Sequence, residues 1–148
     1  MRRIHLLSLS GFVIASALGV GAVVANDDKA APVAMTYIQK ADQMEIKSMG
    51  EEGVNAFLED LVGSGDPVKP ITCGLFRLEK SDKPLVYTYD YPESKVILDG
   101  TMTVSDGITT AEASRGDVLF FPVGSTITFT TKSSGLGFIC GQRPRDGA

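Results

Sequence analysis

The sequence predicts a single all-β domain, a sandwich or small barrel. Three observations predict it. The 148 residues are one domain's worth of chain. From Ile71 onward, short runs rich in Val, Ile, Phe, Tyr and Thr recur at about ten-residue spacing. Turn residues separate those runs, as in Asp99-Gly100, Asp106-Gly107, Arg115-Gly116-Asp117 and Pro122-Val123-Gly124.

The chain opens with Arg2 and Arg3 and then runs from Leu6 to Ala25 without a charge. A basic start, an apolar stretch and small residues at its end form a signal peptide, residues 1–25. Val23 and Ala25 suit the −3 and −1 positions of a cleavage site after Ala25. The expectation is a secreted or periplasmic protein. The alternative is a membrane anchor kept by an uncleaved signal. The twin-arginine pair lacks the continuation such a signal needs, and no cysteine near the site supports a lipid anchor.

Residues 26–70 read as an N-terminal arm and lead-in segment. Within it, Glu51 to Val62 reads as a short helix with Val54, Phe57, Leu58, Leu61 and Val62 on one face. An edge strand from Asn55 to Val62 is the alternative. Gly63 to Pro70 is then a loop. The barrel spans residues 71–144. Its strands are Thr72–Leu78, Leu85–Tyr91, Ser94–Leu98, Thr101–Ser105, Val118–Phe121, Thr126–Thr130 and Leu136–Gly141. Gln142 to Ala148 reads as solvated, with residues 145–148 a flexible tail.

Composition excludes several function classes. Net charge is −4, and cleavage removes Arg2 and Arg3 but no acid, so nucleic acid is not the expected partner. The single histidine, His5, lies in the leader. The mature chain then holds no Ser-His-Asp triad, no Cys-His pair and no histidine-ligated metal.

Two segments resemble the paired motifs of the cupin superfamily. The first motif, H-x-H-x3-E-x6-G, aligns with Tyr87, Tyr89, Glu93 and Gly100. The second, G-x5-P-x-G-x2-H-x3-N, aligns with Gly116, Pro122, Gly124, Ile127 and Thr131. Tyr91-Pro92-Glu93, Val96 to Gly100 and Gly116 to Phe129 are most similar to EutQ-type ethanolamine-utilisation cupins and ureidoglycine-aminohydrolase-like relatives. Val123 stands where relatives often carry a lysine. The resemblance implies a double-stranded β-helix of the jelly-roll, RmlC-like type, and a homodimer. The relatives' roles are cytosolic and do not suit an exported chain, so no substrate transfers. Gly100 is expected in a tight Asp-Gly hairpin turn, Gly116-Asp117 in another, and Pro122 at a strand end.

The resemblance also places the usual metal ligands at Tyr87, Tyr89, Glu93 and Ile127. Isoleucine cannot ligate, and neutral phenols are poor ligands, so no metal and no cofactor are expected. The expected site is a metal-free pocket. Glu93 is its acid or base, its pKa raised by burial, and Tyr87, Tyr89 and Tyr91 orient a small molecule. Isomerase, lyase or decarboxylase chemistry suits such a set. The bland alternative makes Glu93 part of a structural hydrogen-bond network and the tyrosines ordinary strand residues, in a non-catalytic binding or structural module. Arg77 either pairs with Glu93 or lies at the surface. Cys73 and Cys140, the only cysteines, are either a disulfide of the oxidising compartment or two buried small hydrophobes.

Overall fold

One long strand organises the domain because its two halves face different neighbours. The computed structural model describes residues 33–148, and Met35–Ala148 form one compact unit. The leader and residues 26–32 lie outside the described residues, as does the signal-peptide expectation. After a 3-10 turn at Ala41–Gln43, the described strands are β1 (Lys47–Ser48), β2 (Ala56–Gly63), β3 (Thr72–Glu79), β4 (Leu85–Thr88) and β5 (Glu93–Ser105). Then follow β6 (Thr110–Ser114), β7 (Val118–Phe121), β8 (Thr126–Thr130) and β9 (Ser134–Gly141). All pairings among them are antiparallel, and the order β1-β2-β3-β9-β5-β8-β4 makes a curled sheet.

The first half of β5 pairs with β7 and β9. Its second half pairs with β6 and β8. The exchange happens at a register shift between Ile97 and Asp99, next to Gly100. Gly100 is therefore not in a hairpin turn, as the Asp-Gly pair suggested, but inside the strand at φ +64°. A Cβ there would collide with the backbone carbonyl of Ser134. The bulge also flips side-chain parity. Glu93, Lys95 and Ile97 point inward before it, and Met102 and Val104 after it. The expected strands Ser94–Leu98 and Thr101–Ser105 are thus one strand.

The turn at Gly116-Asp117 forms as expected. Gly116 has φ +94°, and the Asp117 carboxylate accepts from the Ser114 amide at 2.8 Å. Pro122 directly follows β7.

The lead-in contains no helix over Glu51–Val62. Gly53 turns the chain at φ +80°, and β2 pairs with β3 from Ala56 to Gly63. The helix-like pattern arose because β2 has apolar residues on both faces. Ala56 and Leu58 face the core, and Phe57 lies under the Arg77 guanidinium at 4.6 Å. The core itself is aromatic, with Phe76, Tyr89, Phe121 and Phe129 packed between the curled walls.

Two long-range ties close the domain. Cys73 and Cys140 are directly opposed on β3 and β9 and form a disulfide. Closing a loop of 67 residues contributes about 4 kcal/mol in the chain-entropy view. The second tie corrects the expectation of a solvated segment after β9. Arg143 is fully buried and clasps Asp60 of β2 with both terminal nitrogens, at 2.6 and 2.7 Å. The Asp146 amide and the Arg145 guanidinium also bond to Asp60, at its carboxylate and its carbonyl.

Burial alone would raise the Asp60 pKa, but the Arg143 bonds and charge outweigh it and hold the group below its usual 3.8. The pair's contribution is therefore complete above pH 3.8 and lost as pH falls through the lower folded value. Asp60→Asn leaves a buried, half-partnered arginine and should cost ~3–5 kcal/mol. Thermal unfolding at several pH values checks this: the native protein weakens toward acid, and the variant, already weakened at neutral pH, should show a shallower acid dependence.

Candidate functional site

The end of β4, the connection after it and the start of β5 bring the expected site residues together. Tyr87 ends the inward run of β4, Tyr89 and Tyr91 lie on the connection, and Glu93 opens β5. All four line one cavity of about 30 Å³, with Leu85, Phe76, Phe129 and Ile139 as apolar wall. That volume holds about two waters. Met49, Leu58 and Ala148 border it as well. The aromatic rings fill most of what a wider barrel would leave open.

Glu93 is 2 % exposed, and its Oε1 accepts from the Tyr89 hydroxyl at 3.0 Å. The sequence reading missed its main partner. Lys95, also 2 % exposed, places Nζ 3.4 Å from the same oxygen and 3.9 Å from the Phe76 ring centroid. Alternation from Glu93 was the signal that could have found it, since residues 93, 95 and 97 share the inward face. Arg77 does not serve Glu93. It lies on the other face of β3, paired with Glu79 at 3.2 Å.

The site is built by glycines as much as by side chains. On β9, Gly137 and Gly141 face inward opposite β5. A Cβ at Gly137 would lie 3.0 Å from Lys95 Cγ, and one at Gly141 would lie 2.8 Å from the Tyr91 ring. The missing side chains are the space that the lysine stem and the phenol occupy.

Electrostatics follow from burial. Desolvation, and then the nearby Glu93 carboxylate, push the Tyr89 phenol far above its usual range. Tyr91 is raised by burial and by its bond with Tyr87, whose hydroxyl lies 3.3 Å away. Both stay neutral hydrogen-bonding groups at any ordinary pH. Burial also lowers the Lys95 pKa, against the opposing pull of Glu93.

This donor set does not fit a divalent metal. Tyr89 donates its proton to Glu93, an ammonium sits at the carboxylate, and Ile127 offers only hydrocarbon from the core. Among the described residues no three His, Cys, Asp or Glu side chains cluster.

A curled antiparallel barrel with these two motifs defines a cupin. Residues 22–145 match the family described as ethanolamine utilisation protein EutQ, and the chain belongs to that family. The curated acetate kinase EutQ of Escherichia coli (strain K12) is 38 % identical over 77 residues. That match takes in 52 % of this chain and 32 % of the relative, so the chain spans about a third of the relative's length. The Clostridium difficile EutQ structure aligns with a TM-score of 0.61 at 19 % identity, covering 72 % of this chain and 79 % of that one. The ethanolamine utilization protein q of Salmonella typhimurium LT2 aligns at 0.56 and 28 % identity, over 65 % of this chain and 76 % of that one. The polyketide cyclase RemF of Streptomyces resistomycificus shares the fold at 0.60 and 17 % identity, over 76 % and 82 % of the two chains.

Removing one member of the buried pair should cost far more than removing both. Lys95→Met leaves a buried carboxylate and should destabilise by ~3 kcal/mol or more, while Glu93→Leu combined with Lys95→Met should regain most of that. Chemical denaturation of the two variants measures the difference.

Proposed function

We propose that this protein is an exported, histidine-free cupin that binds a small molecule and performs metal-independent acid–base chemistry on it through Glu93. The observation that carries this reading is the charged pair at the cavity wall. Burying Glu93 and Lys95 among phenylalanines is expensive, and well-packed apolar residues would stabilise the barrel as well or better. Such a pair beside a cavity is the kind of perturbed group that functional sites hold. Glu93 is the proton carrier, Lys95 pairs with it, and Tyr89 orients its Oε1. Tyr87 and Tyr91 present neutral hydroxyls to the ligand. Isomerisation, dehydration or decarboxylation of a compact substrate suits this set.

Export is supported by the leader in the sequence and by the Cys73–Cys140 disulfide, a bond that persists in oxidising compartments. The acetate kinase activity named for the Escherichia coli relative is not carried over, because the match takes in only 32 % of that protein. A second reading, a barrel that binds without turnover, is favoured by the Tyr, Phe and Ile side chains that fill the interior.

Two measurements test the proposal. Elemental analysis of the purified mature protein, before and after chelation, should find no stoichiometric metal; one equivalent of iron, manganese, nickel or zinc overturns the metal-free site. A thermal-shift screen with polar compounds of few heavy atoms should give ligands that the native protein binds and converts. Glu93→Gln keeps the side chain's shape but removes one charge of the buried pair, so it should unfold at a lower temperature yet remain folded under assay conditions, by circular dichroism, while losing conversion. Conversion retained by the variant would remove Glu93 from the mechanism, and binding without conversion in the native protein would establish the second reading.

A further inference from the structure

We propose that Lys95 is a nucleophile, and that the cavity takes a small aldehyde or ketone and holds it as an imine on Lys95 Nζ. This rests on the same small-molecule reading of the cavity and names its substrate class. Four observations converge. Lys95 is buried and is one of the residues that line the cavity, so its side chain borders ligand space and is shielded from bulk water. Its Nζ rests on the Phe76 face at 3.9 Å, with the Phe129 and Phe121 centroids at 5.4 and 5.9 Å, so π faces stand where bulk water would otherwise solvate it. Glu93 Oε1 lies 3.4 Å from that nitrogen, within reach for proton exchange. Gly137 leaves the lysine stem its channel across β9. Burial lowers the Lys95 pKa, which agrees with this placement. The charged groups acting on Lys95 are Glu93 on its own strand and Arg143 after β9; the facing residues of β3, β7 and β8 are phenylalanines.

The step balances without an outside reagent. Glu93 takes one proton from the ammonium, and the free amine attacks the carbonyl carbon. The new C–N bond forms as the C=O π electrons move to oxygen, which gains a proton from nitrogen. Glu93 returns its proton as the hydroxyl leaves as water, and the nitrogen lone pair forms the C=N bond. Of the three ammonium protons, one stays on the iminium nitrogen and two leave with the carbonyl oxygen. Glu93 ends as the carboxylate it was.

Borohydride-type trapping reads this directly. The purified protein is incubated with propanal and cyanoborohydride at pH 7, and labelled lysines are located by peptide mass. Lys95 should be alkylated at least about tenfold faster than the exposed Lys47 and Lys132, the margin expected of a lysine activated by a desolvating pocket and an adjacent base. Lys95→Arg, which keeps the charge, should abolish the fast phase, and Glu93→Gln should slow it. Label on Lys47 and Lys132 with none on Lys95 overturns the imine. If Glu93-dependent ligand binding persists in that case, the acid–base reading stands and only the covalent step falls. If that binding is absent too, both fall.

Discussion

Two opposite charges, two residues apart on one strand and sealed among aromatic rings, set the terms for the rest of this barrel. A carboxylate and an ammonium can be buried together only when each finds the other and the remaining contacts fit closely. Much of the local sequence serves that condition. Gly137 and Gly141 withhold side chains where Lys95 and Tyr91 must pass. Tyr89 spends its only proton on Glu93. Phe76 gives the ammonium a π face in place of water. Remove the pair, and the glycines of β9 leave holes and the tyrosine loses its acceptor.

The position of the pair depends in turn on β5. Its bulge beside Gly100 allows one strand to serve two parts of the curled sheet, with Glu93, Lys95 and Ile97 inward before the shift and Met102 and Val104 inward after it. Without that parity change, one half of the strand would turn its charges or its apolar residues the wrong way. The disulfide and the Asp60–Arg143 clasp hold β2, β3 and β9 together around the same wall. Both lie beside the strands that carry the glycines, so the rigid frame and the site share one set of elements.

The family's fold was legible because turn glycines and strand alternation are local signals. Val118–Phe121 and Thr126–Thr130 emerge with their ends as read, and Tyr87, Tyr89, Tyr91 and Glu93 share a cavity, although the expected strand Leu85–Tyr91 stops at Thr88 and the last two tyrosines lie on the connection. What escaped was set by tertiary partners. Lys95 looks like any strand lysine until its strand is known to face the core. Arg143 looks like tail chemistry until Asp60 is seen beneath it. Gly100 signalled a positive φ correctly, but a positive φ serves a bulge as well as a hairpin. Thr110–Ser114 lacked the large β-branched and aromatic run that marks a strand, and it forms one only because β5 offers it a free edge. The EutQ relatives share the barrel; in this chain the residues lining the pocket include Lys95 and no histidine.

The most direct test of the central claim is a pH titration of the lysine side chains by carbon-detected NMR on the protein with 13C-labelled lysine. The account predicts one lysine, assigned through Lys95→Arg, whose ε-carbon titrates well below the others and moves when Glu93 is changed to Gln. A Lys95 ε-carbon that titrates with the other lysines and does not respond to Glu93→Gln contradicts the buried pair on which the structure depends.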